Sequence, residues 1–321
     1  MPGIPNDMAL LLLAVLLDLA VGELPDRLHP TAWMGKTVSW GEKLAPKGQR
    51  SQLVYGAGMA LLIPVFWGGL AYLAAEGLQR LGVVSYILAG AALLKPTFSV
   101  RMLFQVARWL RTLIAAGAIN EVRASMPSLV SRNVDDLTLE QATAATVESV
   151  SENLTDSIIG PWLAFALFGL PGAFAYRAVN TLDSMIGYHG RYEFLGKASA
   201  RLDDLVNLIP ARLTAFLLLL ASFFLPGQRA AGAWRIIWRD HARTPSPNAG
   251  WTMSGMAGAL GVALEKPGHY RLGDATRAPQ PEDITRALQS MALVAAFGLA
   301  LAIGLIYLNL LEISAFLEGP R

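Results

Sequence analysis

The chain has 321 residues, of which 54% are hydrophobic and only 16% charged, with a mean hydropathy of +0.42. Soluble domains carry about 25% charged residues, so a purely soluble globule is excluded, and a net charge of +2 without a basic stripe argues against a nucleic-acid partner. The chain has no cysteine, which rules out disulfides, iron–sulfur clusters and thiolate zinc sites.

The first apolar run covers residues 8–17 and extends past Asp18 to 21. Asp7 precedes it and no Lys or Arg does, so the positive segment of a signal peptide is missing. This reads as the mature N-terminus of a polytopic membrane protein. Residues 53–75 and 291–311 are uncharged throughout. Either can cross the ~30 Å hydrocarbon core of a bilayer. Shorter runs at 81–94, 213–227 and 253–264 suit buried helices, re-entrant segments or spans with polar ends.

Residues 158–176 are long enough to cross, but Gly169-Leu170-Pro171-Gly172 interrupts them. Proline cannot continue a helical donor ladder and glycine turns readily. The expectation is two short helices folded back on themselves, a re-entrant hairpin sheltered by protein or a water-filled cavity. Over residues 99–126, apolar side chains recur at helical spacing with Arg101, Arg108 and Arg111 between them. That predicts an amphipathic cytoplasmic-side helix, lying on the membrane surface or packed on the bundle.

Arg27, Lys36, Lys43, Lys47 and Arg50 fall within 23–52, and Lys95, Arg101, Arg108, Arg111, Arg123 and Arg132 within 95–156. The link 76–80 has Arg80 alone. The positive-inside rule therefore puts the two rich segments in the cytoplasm. No internal repeat is visible. The fold expected is an all-α polytopic membrane bundle, a single membrane-embedded domain over 1–321.

Four clusters hold polar groups out of place in such a chain. Glu148, Glu152 and Asp156 follow at i, i+4 and i+8, which puts three carboxylates on one helical face. Like charges repel at that spacing, so a cation should sit opposite; a solvated acidic face is the alternative. Asn180, Asp183 and Ser184 share about one turn beside the hairpin. Ser199, Arg201, Asp203, Asp204, Asn207 and Arg212 form the third cluster, where capping and local salt bridges are the competing explanation. Ser246 and Asn248 open the fourth, ahead of Trp251, Gly255, Gly258 and Gly261. Those glycines admit close approach either of a ligand or of another helix. His29, His189, His241 and His269 are scattered, without zinc spacing.

Carboxylates and amides with interspersed arginine suit Mg²⁺ bound through phosphates and one or two carboxylates. Arg201 and Arg212 are placed to clamp phosphate oxygens. A P-loop is absent. The residues alone thus point to a membrane-embedded, Mg²⁺-dependent enzyme acting on a phosphorylated substrate.

The same clusters, ESVSENLTDSIIGP (148–161), AYRAVNTLDSMIGY (175–188), GKASARLDDLVNLIPARLTA (196–215) and SPNAGWTMSGMAGALGVAL (246–264), resemble the CobD/CbiB family of adenosylcobinamide-phosphate synthases. Leu17-Asp18-Leu19, Gly22, His29-Pro30 and Gly35 fit the same family. The resemblance implies an integral-membrane amide ligase of cobalamin biosynthesis. It would join adenosylcobyric acid, a corrinoid, to (R)-1-amino-2-propanol O-phosphate or aminopropanol, with ATP as co-substrate and Mg²⁺. It further implies a multi-pass protein of the inner cell membrane whose active site faces the cytoplasm; a homo-oligomer is compatible with it.

On the resemblance, the catalytic candidates are Glu148, Glu152, Asp183, Asp203 and Asp204. Metal ligands would come from Glu148, Glu152, Asp156 and Asp183. Substrate and phosphate contacts would come from Asn153, Asn180, Ser184, Ser199, Arg201, Asn207, Arg212, Ser246 and Asn248. A corrinoid also needs apolar walls, for which Trp109, Trp234, Trp238 and Trp251 are available, although each suits a membrane interface as well.

Two departures stand out. The family often has Gly-Arg-Asp where this chain has Ser131-Arg132-Asn133, and Gly-Asp-Pro where it has Gly22-Glu23-Leu24-Pro25. The competing classes are a prenyl- or alcohol-phosphate transferase, whose paired DxxxD repeats are missing, and a transporter with a carboxylate relay, whose inverted hydropathy repeat is not seen.

Overall fold

The structure is a computed structural model and describes residues 4–129 and 134–318. Ser131, Arg132 and Asn133 lie outside the described residues. In chain order the helices are α1 (Ile4–Val21), α2 (Pro30–Lys43), α3 (Gln49–Arg80), α4 (Val83–Leu94), α5 (Arg101–Ala115), α6 (Ile119–Ser125) and α7 (Leu139–Leu154). They continue with α8 (Gly160–Ile186), α9 (Lys197–Val206), α10 (Leu208–Phe224), α11 (Ala230–Asp240), α12 (Ala249–Leu260) and α13 (Pro281–Glu318). Among the described residues the strands form one hairpin, β1 (Leu264–Lys266) and β2 (Tyr270–Leu272), antiparallel with Glu265 opposite Arg271.

The chain is therefore all-α apart from one three-residue strand pair. Four segments are long and apolar enough to cross a membrane: Gln49–Arg80, Val83–Ala115, Leu139–Ile186 and Pro281–Asn309. The first and last contain the two uninterrupted runs of the sequence.

Two compact units emerge. The first comprises 1–99, 160–206 and 299–321, the second 100–159 and 207–298. In the first, α3 packs on α8, α1 on α4, and α9 on both α3 and α8. Leu10, Leu11, Ala14 and Asp18 of α1 are all fully buried. The first three are apolar residues at helical spacing that form its packing face.

The hairpin expected in 158–176 is present. Gly169 has φ 65° and ψ −158° inside α8, a left-handed conformation that side chains resist. A side chain at Gly160 would run into the ring of Tyr176. Sixteen residues of straight helix would separate those two positions by ~24 Å, so the chain doubles back. Leu167 and Phe168, next to the reversal, are exposed as lipid-facing side chains should be.

In the second unit α5 packs on α7, burying Leu103, Ala107, Leu110 and Ile114. Arg108 and Trp109 lie on its open face, which realises the amphipathic pattern. A capping box starts α7: Thr138 Oγ1 accepts the Gln141 N–H at 3.2 Å, and Gln141 Oε1 accepts the Thr138 N–H at 2.9 Å. Helices α11 and α12 touch through glycine, since a Cβ at Gly232 or at Gly258 would meet the other's carbonyl. The small residues of the fourth cluster thus serve helix packing.

Candidate functional site

Helix α7 carries the acidic motif into a five-residue π-helical turn, Thr155–Ile159. Such turns interrupt the 3.6-residue repeat and recur at functional sites. The three carboxylates consequently differ in setting. Glu148 is buried, Glu152 exposed and Asp156 half-buried. Glu148 Oε1 accepts a 2.8 Å hydrogen bond from the Tyr270 hydroxyl on β2. Tyr270 belongs to no motif and was invisible to sequence reasoning.

Asn153 is held in a chain of hydrogen bonds: its Nδ2 donates to the Ser149 carbonyl at 2.9 Å and its Oδ1 accepts from Ser157 Oγ at 2.8 Å. Ser149 Oγ in turn donates to the Leu129 carbonyl at 2.9 Å. The Thr155 hydroxyl is buried with no hydrogen-bond partner among the described residues.

Farther along this unit, Arg212 Nη1 donates to the Leu208 carbonyl at 2.7 Å and to Asn248 Oδ1 at 3.1 Å. Its guanidinium lies 4.9 Å from the centre of the Trp251 ring. Ser246 Oγ accepts the Asn248 N–H at 3.2 Å and fixes the start of α12. Asn207 and Asn248 are both buried. This is a preorganised cation whose plane is set by an aromatic face and an amide. Trp238 packs edge-on against Trp251 at 5.8 Å, while Trp234 and Trp238 are more than half exposed.

In the first unit, Asn180 Oδ1 accepts from Arg177 Nη1 at 3.3 Å. Asp183 lies within Coulombic reach of Asp204. Arg201 is exposed, 3.9 Å from Asp204 Oδ2. Ser184 is exposed and Asp203 half-buried. Ser199 is 1% exposed, and its hydroxyl has no hydrogen-bond partner among the described residues. Asp183 stands in the last turn of α8, where the helix dipole disfavours a negative charge. Asp183 and Asp204 repel each other there, and Arg201 beside Asp204 offsets part of that charge.

Sequence reasoning also missed a cluster at the α1–α2 connection. Glu23 Oε2 accepts from Lys95 Nζ at 2.6 Å and lies 2.8 Å from His29 Nε2, while Oε1 accepts from Ser99 Oγ at 2.8 Å. Asp18 is 3.6 Å from Lys95. Lys95 is 3% exposed, so it is a structural counter-charge and not one of the surface cations a topology count assumes. Burial pushes the Glu23 carboxyl up, but hydrogen bonds from His29, Lys95 and Ser99 and the Lys95 charge hold it down at about 2. The Asp18 and Glu23 positions within the first motif were the available signal.

Among the described residues no three His, Asp or Glu side chains are grouped closely enough to hold a metal ion on their own. An all-protein cage is not what Mg²⁺ in phosphate chemistry requires, since one or two carboxylates suffice when phosphates supply the other ligands. Asp183, at the end of α8, is a carboxylate of the kind that need calls for.

These features define a class: an all-α, polytopic membrane protein with acidic, amide and guanidinium side chains gathered at helix ends. The CobD/Cbib protein family profile matches residues 11–296. The chain is 42% identical over 302 residues to the cobalamin biosynthesis protein CobD of Dehalococcoides mccartyi, covering 94% of this chain and 97% of that one. It is 41% identical over 276 residues to the probable cobalamin biosynthesis protein CobD of Methanothermobacter thermautotrophicus (84% and 88% covered), and 39% identical over 294 residues to that of Pyrococcus abyssi (91% and 93%). No solved structure matches. The chain belongs to the CobD/Cbib family of cobalamin-biosynthesis enzymes.

Proposed function

We propose that the protein is an ATP- and Mg²⁺-dependent amide ligase joining a propionate of adenosylcobyric acid to (R)-1-amino-2-propanol O-phosphate, or to aminopropanol. The product is adenosylcobinamide phosphate or adenosylcobinamide. The observation that carries this reading is the grouping at the end of α8, where Asp183 feels the charge of Asp204 and Arg201 stands 3.9 Å from Asp204, acidic and guanidinium side chains suited to a magnesium–phosphate unit. The order of the four motifs and the names of the relatives support the same reading.

A carboxylate does not react with an amine at neutral pH, because oxide would have to leave. In the proposed route a propionate oxygen attacks the γ-phosphorus of ATP and ADP departs. The amine nitrogen then attacks the acyl carbon, the carbon–oxygen bond to phosphate breaks, and phosphate leaves with a propionate oxygen. Mg²⁺, when bound, offsets charge on the phosphate oxygens.

Asp183 in the first unit, or Glu148, Glu152 and Asp156 in the second, would hold that ion. Arg201 and Arg212 would hold phosphate oxygens, and Asp203 or Asp204 would take the proton from the attacking ammonium. Asn153, Asn180, Ser184, Ser199, Asn207, Ser246 and Asn248 would orient substrate.

The test is mass analysis of purified protein incubated with adenosylcobyric acid, MgATP and the aminopropanol phosphate, with ADP release required to depend on both other substrates. ¹⁸O in the propionate should appear in released phosphate; unlabelled phosphate eliminates the acyl-phosphate route. The cytoplasmic orientation is supported by the Lys and Arg count. The cysteine-free chain makes it testable with His189→Cys, expected to react with an impermeant maleimide only from the cytoplasmic face.

A further inference from the structure

The second unit contains a recess of about 430 Å³ walled by Arg239, Arg243 and Arg271 with Gly273, Asp274, Ala275 and Thr276. None of these residues belongs to the clusters described above. Three guanidinium groups from the end of α11, the turn after it and β2 repel one another unless something gathers them.

Asp240, with no exposed surface, is the organiser. It accepts from Arg239 Nε and Nη2 at 2.8 Å each, lies 3.1 Å from Arg243 Nε, and accepts the Gly273 N–H at 2.8 Å. Burial pushes the Asp240 carboxyl up, but Arg239, the Gly273 N–H and Arg243 hold it below the usual carboxylate range. Arg239 spends its remaining edge on Asp274, at 2.6 Å, which Arg235 also grips.

Pinning the hairpin to α11 needs only Asp240, Arg239 and Gly273. Arg243 and Arg271 exceed that need. Arg243 adds one long contact of 3.4 Å to the Arg271 carbonyl, and Arg271 Nε stands 3.8 Å from Glu265. Both side chains are more than half exposed; Arg271 makes no side-chain hydrogen bond among the described residues, and Arg243 keeps its Nη2 end open. Four guanidinium groups (Arg235, Arg239, Arg243, Arg271) face three carboxylates (Asp240, Asp274, Glu265), so the local charge is positive.

We propose that this recess binds a phosphate monoester, gripped by the fork of Arg271 and the open Nη2 end of Arg243. Paired guanidinium forks match the bidentate geometry of phosphate oxygens. Neighbouring residues of a strand point to opposite faces, so β2 offers Arg271 to the recess and Tyr270 to Glu148. The assignment does not depend on the amide-ligase reading. Its occupant can come from a soluble metabolite or from a lipid headgroup.

The test uses full-length protein in phosphatidylcholine nanodiscs, with inorganic phosphate titrated calorimetrically at low salt. Arg243→Ala and Arg271→Ala should each weaken binding about tenfold. Arg108→Ala, which removes the same charge from the open face of α5, should change it less than about threefold. Arg271→Lys keeps the charge and loses the fork, and should also weaken binding.

Equal losses in Arg108→Ala and Arg271→Ala, or no phosphate binding by the native protein, would overturn the proposal. Discs doped with phosphatidic acid identify the source. If lipid fills the recess, they abolish the phosphate isotherm and Arg271→Ala removes their stabilising effect. If the occupant is soluble, the isotherm is the same in both discs.

Discussion

The hydroxyl of Tyr270 donates a 2.8 Å hydrogen bond to Oε1 of Glu148, tying a strand of the hairpin to a helix 122 residues earlier in the chain. Glu148 is 7% exposed, so that bond satisfies an oxygen that water reaches poorly. Tyr270→Phe removes the donor and leaves the ring. The expected cost is about 2 kcal/mol, read as a lower thermal midpoint in detergent. In a Glu148→Gln background the same change should cost clearly less; a double-mutant cycle showing additivity would deny the coupling.

Glu23 makes the protein acid-sensitive in a defined window. Its carboxyl titrates at about 2 when folded, against 4.5 as the ordinary value. The unfolded chain therefore takes up the proton first on acidification. The stabilisation, on the order of 3 kcal/mol, is complete above pH 4.5 and is lost as pH falls towards 2. Glu23→Gln should be destabilising at pH 7, where it leaves buried Lys95 short of a partner. The gap from native protein should narrow between pH 5 and pH 3 in thermal melts.

Arg212→Lys keeps the charge but loses the flat face on Trp251 and the donor pair that reaches Asn248 and Leu208. Product formation should fall at least about tenfold, with thermal stability lowered by roughly 1 kcal/mol. Steady-state kinetics should show the loss mainly as a raised KM for the phosphate-bearing substrate.

Asp183→Asn separates function from stability. Removing one charge of the Asp183–Asp204 pair relieves repulsion, so the Mg²⁺-free protein should gain up to about 1 kcal/mol. Product formation should drop by about a hundredfold or more, and chelating Mg²⁺ should do the same to the native protein. A destabilised variant with full activity would remove the pair from the site.

Much of the fold was legible because apolar length is a direct physical demand of the bilayer. The 53–75 and 291–311 runs lie inside α3 and α13, and Gly169 with Pro171 announces the hairpin, since both residues oppose continued helix. The acidic motif was legible in composition but not in geometry. Its i, i+4, i+8 spacing suggests three equivalent carboxylates, whereas only Glu148 is buried, and the π-helical turn breaks the repeat before Asp156. Pairings such as Glu23 with Lys95 join positions 72 residues apart in the chain. No local pattern encodes them, and Lys95 reads as a loop cation until its burial is seen. The short β1–β2 hairpin escapes for a similar reason: three-residue strands in a polar linker have too few side chains to show alternation.

The reversal at Gly169 bears on how the polypeptide enters the membrane. The α8 arm before it is roughly 13 Å long, less than half the hydrocarbon thickness. Released alone into lipid, such a stub would strand unpaired peptide groups at its apex. Gly68 of α3 lies against the Pro171 carbonyl, so an earlier-synthesised helix packs on the arm that follows the reversal. The expected order of assembly therefore has α3 in the bilayer before the returning arm docks on it.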